Sequence, residues 1–343
     1  MELITNPLKG WQVDRAAIRF LGQDLQRPEC ILAERDGTLW TADARGGVVR
    51  IDPATGEQQL VTQYAGTGIG DSGDATRLMM GGTLPNGLAF AANGDILIAN
   101  FGTDAIERMT RAGDSRTLYA AIDGEPLGKA NFILRDRRGR IWFTVTTRRV
   151  PWTCSINERT ADGYIGLIDE SGIRIVADGF VGTNEIRLDA REEWIYVAET
   201  NARRISRLRV GDDGALSQRE VYGPDDLGGF PDGFAFDAFG NLWITLILNE
   251  RLIALTPDGE VLTLLDDCNP SALAVYEDHY RHGTITPELM GNCRGTIAPL
   301  MASVTFGGPD LRTVYLGSLA GNRLPYFRSP VPGLPLAHWN DAA

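Results

Sequence analysis

One phrase recurs six times along this chain: a small polar residue, an apolar-alternating stretch, a turn, then a strand ending in Trp, Tyr or β-branched residues. The copies read PECILAERDGTLWTAD from Pro28, PNGLAFAANGDILIAN from Pro85, ANFILRDRRGRIWFTV from Ala130, TNEIRLDAREEWIYVAE from Thr183, PDGFAFDAFGNLWITL from Pro231 and ASVTFGGPDLRTVYLGS from Ala302. Repetition on this scale marks a propeller or a solenoid. Each copy holds two runs of period-two alternation about a Gly, Asp or Asn turn, as in Leu88 and Phe90, then Asn93-Gly94, then Ile96 and Ile98. Such a unit is a half-buried antiparallel hairpin. Successive copies are spaced by roughly 50 residues, room for about four strands of five or six residues with their turns, which is one propeller blade. The expected fold is therefore all-β, a six-bladed β-propeller, with residues 1–343 forming a single domain with short N- and C-terminal extensions. Radial closure hides sheet edges, which makes one domain of this length acceptable. The 40 Gly and 17 Pro supply turns. Helical periodicity is weak, and only Pro287 to Cys293 predicts a helical turn.

No apolar run reaches the roughly 18 residues of a membrane helix, and the first residues lack a basic segment followed by an apolar core. A soluble, cytoplasmic protein without a membrane partner is expected. The formal net charge of −12, with no Lys/Arg-rich run, disfavours nucleic acid. The four cysteines are dispersed without paired spacing, which indicates neither a disulfide framework nor a zinc motif and fits a reducing compartment. A small-molecule partner and a monomer or dimer are the expectation that remains.

In a propeller the equivalent positions of the inner strands converge on the axis. The second position of successive copies holds Glu29, Asn86, Asn131, Asn184 and Asp232, then Ser303. For one copy alone, Asn or Asp after Pro reads as a turn former capping its own backbone. Five carboxylate or carboxamide side chains at one level, with Glu29 a poor turn former, point instead to a divalent cation at the axis. Calcium takes such oxygens readily. The soft thiol of Cys30 beside Glu29 leaves zinc or iron as alternatives, and manganese is a further one.

These motifs resemble the SMP-30/gluconolactonase/luciferin-regenerating-enzyme family of six-bladed propellers, over roughly Leu21 to Ser318. The closing copy SVTFGGPDLRTVYLGS is similar to that family's final-blade signature. The resemblance implies one metal ion, often calcium, held by Glu29, Asn184 and Asp232, with Asn131 close to metal and substrate. Lys129 stands where the mammalian members commonly carry a substrate-side arginine. The resemblance also implies Asp232 as the base that takes a proton from water; Glu29 and metal hydroxide remain alternatives.

A cation held by few protein ligands polarises a carbonyl and lowers the pKa of water. The reading is therefore a divalent-metal-dependent hydrolase that opens a lactone of sugar type or similarly oxygenated. Other Lewis-acid chemistry on the same residues (organophosphate hydrolysis, carbon–carbon cleavage, isomerisation) and a non-catalytic binding propeller are the alternatives. Metal ligands are expected at Glu29, Asn131, Asn184 and Asp232, catalytic roles at Asp232 and Glu29, and substrate contacts at Asn131, Lys129, Asn86, Arg148 and Trp152. The last two lie in the rim loop Thr146 to Gly163, and a Gly-rich stretch from Gly66 to Thr83 reads as a second rim segment. The stretch around 279–300 is long enough for a lid, with His282 the reserve catalytic candidate.

Overall fold

The computed structural model describes residues 5–63 and 83–341. The six copies become six four-stranded antiparallel sheets arranged as the blades of a β-propeller. Each copy opens with the innermost strand of its blade: Ile31–Ala33, Pro85–Phe90, Ala130–Arg135, Thr183–Leu188, Phe230–Phe236 and Met301–Gly307. The last blade has only three strands of its own. Its outer strand is Arg19–Leu21 from the beginning of the chain, with Arg19 opposite Tyr326 and Leu21 opposite Leu324. This pairing closes the ring.

The turn inside each copy does more than reverse the chain. In three blades the turn carboxylate accepts the indole N–H of a buried tryptophan six residues later: Glu34 from Trp40 at 2.6 Å, Asp136 from Trp142 at 3.0 Å and Asp237 from Trp243 at 2.9 Å. The large apolar ring goes between neighbouring sheets and its one polar atom is satisfied, so burial costs no hydrogen bond.

The second position of the copies is shaped by a register slip. Pairing with the neighbouring strand shifts between Pro85 and Gly87, Ala130 and Ile133, Thr183 and Ile186, and Pro231 and Phe234. Such bulges re-aim a side chain out of the regular pleat. Threonines of the second strand satisfy the backbone they disturb: Phe132 N–H donates to Thr144 Oγ1 at 3.0 Å, and that hydroxyl donates to Asn184 C=O of the next blade at 2.7 Å. The Pro-Asn-Gly and Pro-Asp-Gly triplets therefore lie within strands and are not capping turns. Their glycine is required by close approach, since a Cβ at Gly87 would lie 2.5 Å from Phe132 Cα, and one at Gly233 2.7 Å from Ser303 Cα.

The segment between blades five and six corrects the expectation of a single helical turn. It folds as α1 (Pro270–His282) and α2 (Pro287–Asn292). The Asn269 side chain caps α1, Pro270 opens it, and Gly283 closes it at φ 67°. Tyr276 and Tyr280, one turn apart, pack edge-on against Phe230 at ring distances of 5.3 and 5.0 Å. Among the described residues no helix is long and apolar enough to cross a membrane.

Candidate functional site

One end of the axis opens into a cavity of about 740 Å3, mouth included. Its floor is polar and comes from the second positions of five blades: Glu29, Asn86, Asn131, Asn184 and Asp232 all line it. Each is less than a tenth exposed. They do not cap their own turns. Asn86 Nδ2 donates to Asn131 C=O of the next blade at 3.0 Å, and Asn184 Nδ2 donates to Thr200 Oγ1 at 3.1 Å. The Oδ1 atoms of Asn131 and Asn184 are buried with no hydrogen-bond partner.

Arg27 completes the floor, and the repeat pattern did not reveal it. Its guanidinium forms a 2.7 Å ion pair with Glu29 and donates to Asn86 Oδ1 at 2.7 Å. The only available signal was an Arg two residues before the ring glutamate, at the approach to the strand. Burial pushes the Glu29 carboxyl up, opposed by the Arg27 charge and by the Asn86 amide. Burial pushes Asp232 up further, because it also faces the charges of Glu29 and Glu185 while Arg27 and the Asn184 amide offset only part. A second buried pair, Glu185 with Arg187 at 2.7 Å, includes a Glu185 carboxyl that burial raises to about 7.

Cys30 turns away from this floor. Its sulfur accepts from Leu88 N–H at 3.3 Å and lines a separate cavity toward the other end of the axis. Burial pushes the thiol far above its usual range, so Cys30 is a packed, protonated side chain and no soft ligand beside Glu29. The C-terminal tail covers that other end, where His338 Nε2 sits 2.8 Å from Ala33 C=O and its ring lies edge-on to Phe90.

Of the residues assigned to substrate contact, Asn86, Asn131 and Trp152 line the cavity, whereas Lys129 and Arg148 do not. Lys129 pairs with Asp104 at 2.8 Å and donates to Phe101 C=O at 3.1 Å. Arg148 is exposed and covers the Tyr164 ring at 4.8 Å. His282, exposed on α1, sits 2.7 Å from Asp278 C=O and is no part of the cavity, which leaves it no catalytic role there. The Gly-rich stretch expected as a rim lies, except for Thr83, outside the described residues. The two insertion helices do line the cavity, through Tyr276 and Met290.

The insertion is tied to blade five by Glu250. This buried carboxylate accepts backbone N–H groups of Gly295, Leu300 and Met301 at 3.0, 3.1 and 3.3 Å. Burial nonetheless raises it to about 7 from an ordinary 4.5. Folding therefore takes up a proton between those values. The stability this group contributes is fully present below about pH 4.5 and is lost as pH rises through about 7, on the order of 3 kcal/mol in all. Glu250→Gln is expected to flatten the fall in unfolding free energy between about pH 5 and 8, measured by denaturant titration. Identical pH profiles for the two proteins would remove Glu250 as its source.

A cation fits the donors at the floor: buried amide oxygens without a proton to accept and two desolvated carboxylates are the hard oxygen ligands a divalent ion takes. Among the described residues no group of three or more His, Cys, Asp or Glu side chains is arranged to hold a metal, so binding here would depend on the amides.

A six-bladed propeller with buried amide and carboxylate oxygens at one end of its axis defines the class of protein. The chain belongs to the SMP-30/Gluconolactonase/LRE-like family, whose model matches residues 27–274. It is 27% identical over 168 residues to a 6-deoxy-6-sulfogluconolactonase of Pseudomonas putida, covering 48% of this chain and 48% of that protein. It is 24% identical over 262 residues to the adipocyte plasma membrane-associated protein of Mus musculus, covering 74% and 60%. The chain thus spans about half to three fifths of the length of these relatives. Among solved structures, regucalcin of Agrobacterium tumefaciens str. C58, described as a calcium-binding protein, matches with a TM-score of 0.62 at 16% identity, covering 92% of this chain and 95% of that one. That likeness concerns the fold.

Proposed function

We propose that this protein is a divalent-cation-dependent hydrolase that opens a lactone ring, with Glu29, Asn131, Asn184 and Asp232 as the cation's ligands and calcium as the ion. The observation that carries this reading is the pair of buried, unpartnered Oδ1 atoms of Asn131 and Asn184 beside two carboxylates in an open cavity. Buried acceptors left without a donor cost roughly 1–3 kcal/mol each, a cost repaid when a cation takes them. The lactonase named among the relatives and the calcium-binding structural neighbour lend further support.

The bound ion would supply Lewis acidity toward the carbonyl and a lowered pKa for water. The protein's own groups do the rest. Asp232, less than a tenth exposed at the floor, accepts a proton from the attacking water. The water oxygen bonds to the carbonyl carbon, the acyl–oxygen bond of the ring breaks, and the proton passes to the ring oxygen, giving a hydroxy acid. Arg27 fixes the Glu29 carboxylate at the floor. Asn86, held by Arg27 and by the Asn131 carbonyl, is set to meet substrate.

Elemental analysis of the purified protein, paired with acid release from a lactone panel before and after chelation, tests this. One divalent ion per chain is expected, with acid release lost on chelation and restored by calcium. Absence of any bound ion with acid release indifferent to chelator would overturn it.

A further inference from the structure

The cavity has two unlike halves, and the upper one bears on what enters. Above the polar floor the described wall is built from Phe101, Trp152, Ile247, Leu248, Tyr276 and Met290. They come from separate elements: the loop after the second strand of blade two, the rim loop, the end of blade five's second strand, and both insertion helices. Leu248 holds a left-handed φ of 69°, a conformation a leucine keeps only where its surroundings fix it. Trp152 packs edge-on to Phe101 at 5.4 Å.

The hydroxyl and amide groups interspersed in this wall already spend a donor on the protein backbone. Thr146 Oγ1 donates to Thr183 C=O at 2.8 Å, Ser155 Oγ to Trp152 C=O at 2.7 Å, Thr200 Oγ1 to Pro231 C=O at 2.7 Å, and Asn201 Nδ2 to Ser155 C=O at 3.0 Å. Trp152 Nε1 is buried and unpartnered, one donor for one acceptor. A sugar lactone, with a hydroxyl on most ring carbons, would bury several of them against hydrocarbon, each at a cost of roughly tenfold in affinity.

We infer that the substrate is a lactone bearing an apolar substituent, its carbonyl at the ring of oxygens and its alkyl or aryl group against the aromatic and aliphatic wall. The inference rests on the hydrolase reading and narrows its substrate from the oxygenated sugar type. The test compares δ-decalactone, with its pentyl chain, against δ-valerolactone, the same ring without the chain, and δ-gluconolactone. Each buried methylene multiplies affinity by about fourfold. With part of the chain covered, kcat/KM for δ-decalactone is expected to exceed that for δ-valerolactone by at least about thirtyfold. δ-Gluconolactone is expected to be the poorest. Met290→Gln should shrink the decalactone-to-valerolactone ratio about tenfold or more, and Met290→Leu should keep it. A flat or reversed preference overturns the inference while leaving the hydrolase reading intact. If no lactone is opened, the hydrolase reading fails, and calorimetric titration still decides the pocket's preference. Binding of δ-decalactone at least about tenfold tighter than δ-gluconolactone supports the apolar wall as the binding surface, and equal binding overturns it.

Discussion

Asp232→Asn is expected to abolish turnover, by at least about a thousandfold, while raising the thermal unfolding midpoint in chelator. The two effects have one cause. Asp232 is buried beside Glu29 and Glu185, with its carboxyl pushed up by desolvation first and by those like charges second. A group held this way costs folding free energy when ionised, and replacing it with an isosteric neutral amide removes the cost, about 1–3 kcal/mol. The amide cannot accept the proton of an attacking water, and it weakens any cation site by one charge. Positioned bases and cations commonly supply two or more orders of magnitude each. Asn184→Ala is expected to abolish turnover as well, since it removes one of the unpartnered amide oxygens at the floor. Calorimetric scanning in chelator and acid-release assays with calcium check this. Retained turnover in Asp232→Asn together with a lowered midpoint would make Asp232 a structural residue and remove it from the mechanism.

The ring was legible because it repeats: five blades write the same position in carboxylate or carboxamide residues, and a bulge in four of those five inner strands turns that position toward the axis. Local turn propensity could not say whether Asn86 or Asp232 capped its own backbone, and the structure decides it, with both inside strands. What did not repeat was poorly legible. Helix α1 carries its boundary signals in Asn269-Pro270 and His282-Gly283, but its buried contacts are chiefly Tyr276 and Tyr280 within a polar segment, too few to give a strong period. Lys129 was assigned by position in a motif, whereas its charge is spent on Asp104 and the Phe101 carbonyl. Arg27 stands outside the repeat, and only the folded ring shows that its charge is directed at Glu29.

That placement gives Arg27 an expected behaviour of its own. The residue is 5% exposed, holds φ at 53°, and spends its guanidinium on Glu29, Asn86 Oδ1 and, at 3.4 Å, Pro85 C=O. Removing one partner of a buried ion pair leaves the other charge desolvated without compensation, typically 3–5 kcal/mol. Arg27→Met, which keeps the length of the stem, is expected to lose about 3 kcal/mol of stability in chelator. The vacated charge is the one a divalent cation replaces, and a ligand that binds only the folded state stabilises it by about 2.7 kcal/mol at a hundred times its dissociation constant. Millimolar calcium is therefore expected to raise the unfolding midpoint of Arg27→Met by more than it raises that of the unmodified protein, recovering most of the loss. Thermal unfolding of both proteins with chelator and with calcium reads this directly, without any assay of turnover. If calcium leaves the variant where chelator did, Glu29 is no ligand, and its partnership with Arg27 is a purely structural ion pair at the floor of the cavity.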